Sequence, residues 1–284
     1  MKIKSIKINI FLKILLSFLT LIAIFLIYSH YEYTQIQVRN ITIESKDIPQ
    51  EFDGKKILFL ADFQVDTMTR FNKKQMERVV KVVNSQEKDI ILIGGDYSTW
   101  NKYTKETYKE LEKMKIPQYG VYAVLGNHDY ETEEDSVRYH KELGYTLLRN
   151  EKAKISIGNE NIYIAGVEDL WKGSPDAEKA LEDVKNEDFA VLLTHNPEYF
   201  EEMTEKGKNL SDIILAGHTH GGQVTLFGKI VASAIENKEK YGYGMKNYGG
   251  HKLYITSGVG GTAFEMFIRF FAKPEVVILK LKKI

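Results

Sequence analysis

Five short apolar runs in this chain of 284 residues each end in side chains that could bind a metal ion. The residues at the five run ends are Asp62, Asp96, Asn127-His128-Asp129, His195 and His218-Thr219-His220. In layered α/β folds, functional sites form at the carboxyl ends of the strands. If these five ends converge, they build one cluster of oxygen and nitrogen ligands. Such a cluster supports metal-assisted hydrolysis, in which bound ions polarise a substrate and activate water.

Each motif also has an ordinary structural explanation when it is taken alone. An aspartate after a strand, such as Asp62 or Asp96, is often a helix N-cap or a turn residue. A single histidine such as His195 is often a hydrogen-bonded core side chain. The pair His218 and His220 is more specific, because its flanking glycines let the backbone approach an ion closely. The order and co-occurrence of all five motifs favour a metal site.

In this order the motifs resemble the pattern of the calcineurin-like metallophosphoesterases, which is Asp-x-His, Gly-Asp, Gly-Asn-His-Asp/Glu, His and Gly-His-x-His. The matching residues here are Asp62-Phe63-Gln64, Gly95-Asp96, Gly126-Asn127-His128-Asp129, His195 and Gly217-His218-Thr219-His220. The resemblance runs from about Asp53 to the C-terminus. It is strongest to a membrane-anchored bacterial branch with the motif Gly-His-Thr-His-Gly-Gly-Gln, which is found here at residues 217–223. It implies an α/β fold in which a layered β-sandwich is flanked by helices.

The resemblance also implies a role for each matched residue. The implied ligands are Asp62, Gln64, Asp96 and His220 at one divalent metal ion and Asn127, His195 and His218 at a second. Asp96 would bridge the two ions. His128 would act on the substrate phosphate as a general acid or electrostatic stabiliser, and Asp129 would orient His128. A hydroxide that bridges the metals would hydrolyse a phosphodiester or a phosphomonoester.

Gln64 departs from the family pattern, which has histidine at this position. An amide oxygen is a harder and weaker ligand than an imidazole nitrogen, and it suits Mn or Mg better than a soft metal. We therefore expect manganese, with magnesium, iron and zinc as alternatives. Gln64 also supports the alternative hypothesis of a catalytically weak metal-binding scaffold or sensor at the membrane, whereas His128 and Asp129 argue against it.

The composition limits the kinds of site and partner. The chain has no cysteine, so it uses neither disulfides nor thiolate metal ligands. Basic (Lys+Arg) and acidic (Asp+Glu) residues both number 39, and this balance gives no support for a nucleic-acid-binding protein. The expected partner is a phosphoester substrate, either lipid-linked or soluble, and we predict no nucleic-acid or protein partner.

The first thirty residues differ in character from the rest of the chain. Residues 8–28 are apolar apart from four positions, and a helix of this length would span a bilayer core of about 30 Å. Lysines precede the run and tyrosines follow it, which predicts a single-pass anchor in the cell membrane with an extracytoplasmic catalytic domain. A cleaved signal peptide is the alternative, although no small-x-small cleavage site follows. We expect the anchor at 1–30 and one catalytic domain at 31–284.

Hydrophobic periodicity predicts alternating strands and helices early in the domain and mainly strands later. Helices are expected at 72–86, 103–114 and 133–143. Strands are expected at 35–44, 56–61, 89–93, 120–125, 154–157, 161–165, 190–193, 212–215, 252–256 and 276–281. The apolar segment 264–271 is expected to be a core strand or a lipid contact with Arg269 near a phosphate. His140 is expected to be solvated.

Overall fold

The computed structural model describes residues 2–226, 229–230, 235 and 237–284, without the side chains of residues 2–9. The strands of the described residues are β1 (Gln37–Ser45), β2 (Lys56–Leu60), β3 (Ile90–Ile93), β4 (Val121–Ala123), β5 (Thr146–Leu147), β6 (Glu151–Ile157), β7 (Glu160–Gly166), β8 (Ala190–Leu193), β9 (Ile213–Ala216), β10 (Thr225–Leu226), β11 (Lys229–Ile230), β12 (Gly244–Tyr248), β13 (His251–Ile255) and β14 (Glu275–Lys283). The α-helices are α1 (Lys2–Tyr33), α2 (Lys73–Ser85), α3 (Thr104–Leu111), α4 (Glu133–Glu142), α5 (Ala177–Ala180), α6 (Tyr199–Glu202), α7 (Glu205–Asn209) and α8 (Lys238–Tyr241).

Two six-stranded sheets form the centre of the molecule. Their strand orders are β1-β14-β2-β3-β4-β5 and β12-β13-β9-β8-β7-β6. The run from β2 to β5 is parallel, and so is the run β13-β9-β8-β7. Parallel neighbours end at the same edge of a sheet, so the polar residues after β2, β3 and β4 share one edge. Those after β8 and β9 share the corresponding edge of the other sheet.

Alternation along the strands sorts the apolar side chains into layers. In β2, Ile57 and Phe59 pack between the two sheets, whereas Leu58 and Leu60 pack against the helical layer. This is the period of two that a strand with both faces buried requires. A third apolar cluster joins the outer face of the second sheet to the short helices α5 and α6. The predicted layered α/β sandwich flanked by helices is therefore confirmed.

Apart from the segment 264–271, all the predicted strands and helices of the domain are present, with ends within three residues of those expected. Helix α2 buries Met76, Val79, Val80 and Val83, which is the spacing that predicted it. The two-residue strands β5, β10 and β11, the strand β12 and the helices α5 to α8 were not predicted. Most are too short to show a hydrophobic period.

Helix α1 continues three residues beyond the predicted boundary at residue 30. Within its stretch Ile10–Tyr33, a window of 18 residues has a mean hydropathy of 2.8, and the stretch is long and apolar enough to cross a membrane. The end of this helix does not stand apart from the domain, because Ser29, Glu32 and Tyr33 are buried. The Glu32 carboxylate accepts hydrogen bonds from the backbone N–H groups of Phe271 (3.1 Å) and Ala272 (2.9 Å).

The segment 264–271 is not a core strand, since it makes only isolated bridges. It lies against the end of α1, where the ring centroids of Phe25 and Phe270 are 4.9 Å apart. The side chain of Arg269 does not face a lipid surface. Its side chain is fully buried, and its guanidinium donates to the carbonyl oxygens of Gly260 and His220.

Candidate metal centre

The edges of the two sheets bring Asp96, His195 and His218 together. One potential ligand atom from each of these buried residues lies within 4.8 Å of the others. The Nε2 atom of His195 is 3.3 Å from Asp96 Oδ2 and 3.2 Å from His218 Nδ1. A carboxylate and two imidazoles at this spacing offer the oxygen and nitrogen ligands that a divalent ion needs.

Several polar atoms around this group have no protein partner. Asp62 Oδ2, Asn127 Oδ1 and His218 Nε2 are buried and make no hydrogen bond within the described part of the chain. Native proteins leave few such atoms unsatisfied, so an unpaired group calls for an explanation such as an ion. All three residues are predicted metal ligands. The residues present therefore fit bound divalent metal ions.

Hydrogen bonds to the backbone orient several of the predicted ligands. His195 Nδ1 lies 2.8 Å from the carbonyl oxygen of Gly94. Since a carbonyl oxygen only accepts, Nδ1 carries the proton, and in the neutral ring Nε2 keeps the lone pair that faces Asp96. The backbone N–H of His218 donates to Asp62 Oδ1 at 2.9 Å, which ties the second sheet to the first.

The backbone around the ligands is strained and closely packed. Asp62, Asp96, His218 and His220 all have positive φ angles, between 53° and 71°. Such conformations are costly for residues with a side chain, and they are concentrated at functional sites. A Cβ atom on Gly126 would lie only 2.2 Å from Asp96 Oδ1. Glycine is required there for close approach to that carboxylate.

Asp129 fixes the loop after β4. Its Oδ2 atom accepts from the backbone N–H groups of Gly126 (2.7 Å) and Asp96 (2.8 Å), and Oδ1 accepts from that of Tyr97 (2.9 Å). Both carboxylate oxygens of Asp129 thus accept hydrogen bonds from backbone N–H groups. The described hydrogen bonds include none to the His128 ring, which Asp129 was expected to orient. Asp129 instead joins the Asp96 loop to the His128 loop.

Crowded buried charges shift the pKa values of the site in opposite directions. Burial raises the pKa of Asp62 to about 7, and burial together with the charge of Asp96 raises that of Asp129 to about 8. Burial disfavours the charged form of His195, but Asp96 outweighs it and raises the pKa of His195 to about 10. Burial and the nearby His195 lower the pKa of His218 to about 3. A bound cation would relieve the repulsion between the carboxylates.

The sequence model of calcineurin-like phosphoesterases matches residues 55–222, which is more than half of the chain and includes every predicted ligand. The chain belongs to the calcineurin-like phosphoesterase family. Members of this family typically depend on two metal ions, and the Asp96, His195 and His218 group is a possible metal site in this phosphoesterase.

Curated relatives support the same assignment. This phosphoesterase is 32% identical over 270 residues to the uncharacterized metallophosphoesterase YkuE of Bacillus subtilis, with 90% of this chain and 89% of that protein covered. It is 30% identical over 237 residues to phosphodiesterase YaeI of Escherichia coli, which covers 80% of this chain and 82% of that one. A zebrafish transmembrane protein with a metallophosphoesterase domain is 26% identical over 261 residues, with 87% and 57% covered. The protein is a hydrolase of phosphoesters.

Two of the predicted aspartate and histidine ligands of the phosphoesterase lie outside the compact group. Within the described residues that group contains neither Asp62 nor His220. The Gln64 amide nitrogen donates to Asp96 Oδ2 at 2.8 Å, so Gln64 is beside the expected bridging ligand. The Nδ1 atom of His220 is 3.5 Å from the guanidinium of Arg269. The structure therefore brings three of the predicted ligands, Asp96, His195 and His218, into one compact group.

Sequence reasoning missed two residues of this phosphoesterase. Asp169 is fully buried next to the site, and its Oδ2 atom has no partner among the described residues. The Trp171 ring meets the His218 ring nearly at a right angle, with centroids 4.4 Å apart. Both residues follow β7, a parallel neighbour of β8. The strand-end rule that gave the predicted ligands would also have pointed to Asp169.

Proposed function

We propose that this protein hydrolyses a phosphodiester or phosphomonoester with two bound divalent metal ions, of which manganese is favoured. The arrangement of Asp96, His195 and His218 at the ends of strands from both sheets carries this proposal. The unpaired Asn127 Oδ1 and Asp62 Oδ2 atoms support it, because each points to a ligand that the protein itself does not supply.

The residues divide into two proposed metal sites. Asp62, Gln64 and His220 would hold one ion, Asn127, His195 and His218 would hold the other, and Asp96 would lie between them. When bound, such ions would clamp phosphate oxygens and lower the pKa of a water to about 7. Imidazole, carboxylate and amide ligands without thiolates also admit magnesium, iron or zinc.

His128 is the proposed group that acts directly on the substrate. Its backbone N–H donates to Asp96 Oδ1 at 3.1 Å, so the loop holds the residue next to the bridging carboxylate. Its side chain is only half-buried and is accessible to a ligand. From this position the imidazole would stabilise charge on the phosphate or give a proton to the leaving oxygen. Asp129 supports it through the backbone of both loops.

The substrate is proposed to lie at a membrane surface. Helix α1 supports this proposal because its apolar stretch remains exposed along most of its length. The transmembrane name of the zebrafish relative agrees with it. The lysines at the N-terminal end of α1 favour an extracytoplasmic catalytic domain. A lipid-linked phosphoester would reach a site held at this position.

The first test is hydrolysis of bis(p-nitrophenyl) phosphate and p-nitrophenyl phosphate by the full chain in detergent. The protein is stripped of metal and then supplied with Mn, Mg, Zn or Fe, beside Asp96→Asn and a matched control, Asp135→Asn, on the exposed face of α4. We expect metal-dependent turnover that only Asp96→Asn abolishes. Metal binding without turnover of either ester would favour the scaffold or sensor alternative or a strict requirement for a lipid-linked substrate.

A further inference from the structure

Trp171 exposes an aromatic surface beside the proposed metal site. Its residue exposure is 47%, although its ring is in edge contact with the buried His218. His218 is a proposed metal ligand, so a substrate whose phosphate lies at the metals has its esterified group within reach of this indole. The chain contains only one other tryptophan, Trp100.

The turn that carries Trp171 is built on Asp169. The Oδ1 atom of Asp169 accepts from the backbone N–H groups of Trp171 (2.8 Å) and Lys172 (3.0 Å). The Gly173 N–H donates to the Asp169 carbonyl oxygen at 2.9 Å. The Asp169 N–H in turn donates to the Tyr130 hydroxyl at 3.2 Å. These bonds fix the backbone on both sides of the tryptophan.

A second set of contacts anchors the two ends of the same turn. The Arg149 guanidinium pairs with Glu133 (2.6 Å) and Glu168 (3.0 Å). Glu168 Oε2 accepts from the Ser174 N–H at 3.1 Å, and Asn150 donates to the Ser174 carbonyl oxygen at 2.9 Å. The loop from 168 to 174 is thus closed on itself and tied to the rest of the domain.

A rigid loop that leaves a large aromatic ring partly exposed to water is well suited to bind a ligand. Burial of that ring by a ligand is favourable, and little conformational freedom remains to be lost. Aromatic rings pack well on an indole in offset or edge arrangements. The described part of the domain leaves nearly half of Trp171 uncovered, so packing among these residues does not account for the exposed part of the ring.

We propose that Trp171 is a specificity-determining residue that packs against a planar ring in the group esterified to the substrate phosphate. This inference rests on the proposed function, since it places the phosphate at the metal site. It assigns the substrate class as esters with an aryl group or another flat ring next to the phosphate. Esters with only a small alkyl group would lack this contact.

The test uses phenylphosphonate and methylphosphonate, which have no ester bond to hydrolyse. In a Trp100→Phe variant of the full chain, Trp171 is the sole tryptophan, so its fluorescence reports binding directly. With Mg²⁺ present, we expect saturable quenching by phenylphosphonate at a concentration at least tenfold lower than that required for methylphosphonate. Equal affinity for the two phosphonates would overturn the proposal.

Two substitutions separate ring contact from general damage to the site. In Trp171→Ala, inhibition of metal-dependent ester hydrolysis by phenylphosphonate is expected to weaken about tenfold, and inhibition by methylphosphonate is expected to stay unchanged. Trp171→Phe should retain most of the preference for phenylphosphonate over methylphosphonate. Equal weakening of both inhibitors in Trp171→Ala would show a structural role only. A fluorescence preference for the phenyl compound in a protein without any esterase activity would refute the proposed function but not the ring contact.

Discussion

At the scale of single residues, Gln64 is the feature that distinguishes this site from its family. Its amide nitrogen donates to Asp96 Oδ2, the atom that also lies 3.3 Å from His195. A histidine at this position would offer a ring nitrogen to a metal ion. The glutamine instead donates a hydrogen bond to the proposed bridging carboxylate, which should weaken the proposed first metal site more than the second.

Replacement of Gln64 by histidine should therefore tighten metal binding at the first site. We expect the weaker of two binding events to gain about tenfold in affinity for Zn²⁺ or Mn²⁺, a typical effect of one added or improved interaction at a metal site. Isothermal titration of the stripped protein measures this change, with Gln64→Ala as the control that removes the amide. Identical titrations of Gln64→His and the native protein would place Gln64 outside the metal site.

His140 shows how burial can reverse the behaviour expected of a residue. The sequence predicted a solvated side chain on a helix, but His140 is 1% exposed. Its Nδ1 lies 2.7 Å from the Ser136 carbonyl oxygen, and its Nε2 lies 2.8 Å from the Tyr97 hydroxyl. Burial lowers its pKa to about 4. The prediction of a solvated His140 is wrong because its helix face packs on Tyr97 and Tyr108.

The free energy of unfolding should consequently decrease at acidic pH because of His140. The unfolded chain takes up this proton near pH 6.5 and the folded protein only near pH 4, so the contribution is complete above pH 6.5 and is lost as the pH falls toward 4. The loss is about 3 kcal/mol. Urea unfolding at several pH values should show a slope in this window that is reduced in His140→Gln. An unchanged slope would contradict the assignment.

At the scale of elements, the end of helix α1 is part of the catalytic domain. Arg269 forms the link: its backbone N–H donates to the Ser29 carbonyl oxygen at 3.0 Å, and its guanidinium reaches the His220 carbonyl oxygen. Two hydrogen bonds, both donated by Arg269, thus connect the helix to the proposed metal ligand His220. An anchor that only tethered the domain would need no such connection.

Glu32→Gln should accordingly destabilise the domain. The buried carboxylate accepts two backbone N–H groups with its two oxygens, whereas an amide has only one oxygen to offer. The expected cost is about 1–3 kcal/mol, because one buried donor loses its partner. Thermal unfolding in detergent measures it, with the exposed Glu51→Gln as the matched control. Equal stability of the two variants would argue against this contact.

The elements also show what could be predicted from the sequence. Apolar runs such as 90–93 and the helical spacing of Met76, Val79 and Val83 identify buried strands and a helix by themselves. The ends of the apolar runs also give the positions of the proposed ligands. Contacts between residues far apart in the sequence produce no such periodic pattern of apolar residues. The three backbone partners of Asp129 and the packing of Ser29 on Arg269 depend on how the elements assemble, so the sequence did not reveal them.

At the scale of the whole molecule, the chain should remain attached to the membrane through an intact helix. We expect the full protein in the membrane fraction, with an N-terminal peptide from residues 1–30 detectable by mass spectrometry. A variant in which Leu15, Leu19 and Ile22 become serine is the control and should appear partly in the soluble fraction. A mature N-terminus after residue 28 would instead establish the cleaved signal peptide.

The connection between helix α1 and the catalytic domain is short. Only residues 34–36 separate Tyr33 from the first residue of β1, and the last turn of the helix is already packed into the domain. For a protein anchored as we propose, the metal centre would hold a constant height and tilt above the bilayer. Encounters would then occur by lateral diffusion in two dimensions. The metal centre would then reach only those membrane phosphoesters whose phosphate lies at that height above the bilayer. This geometric selection would precede any contact between the substrate and a side chain.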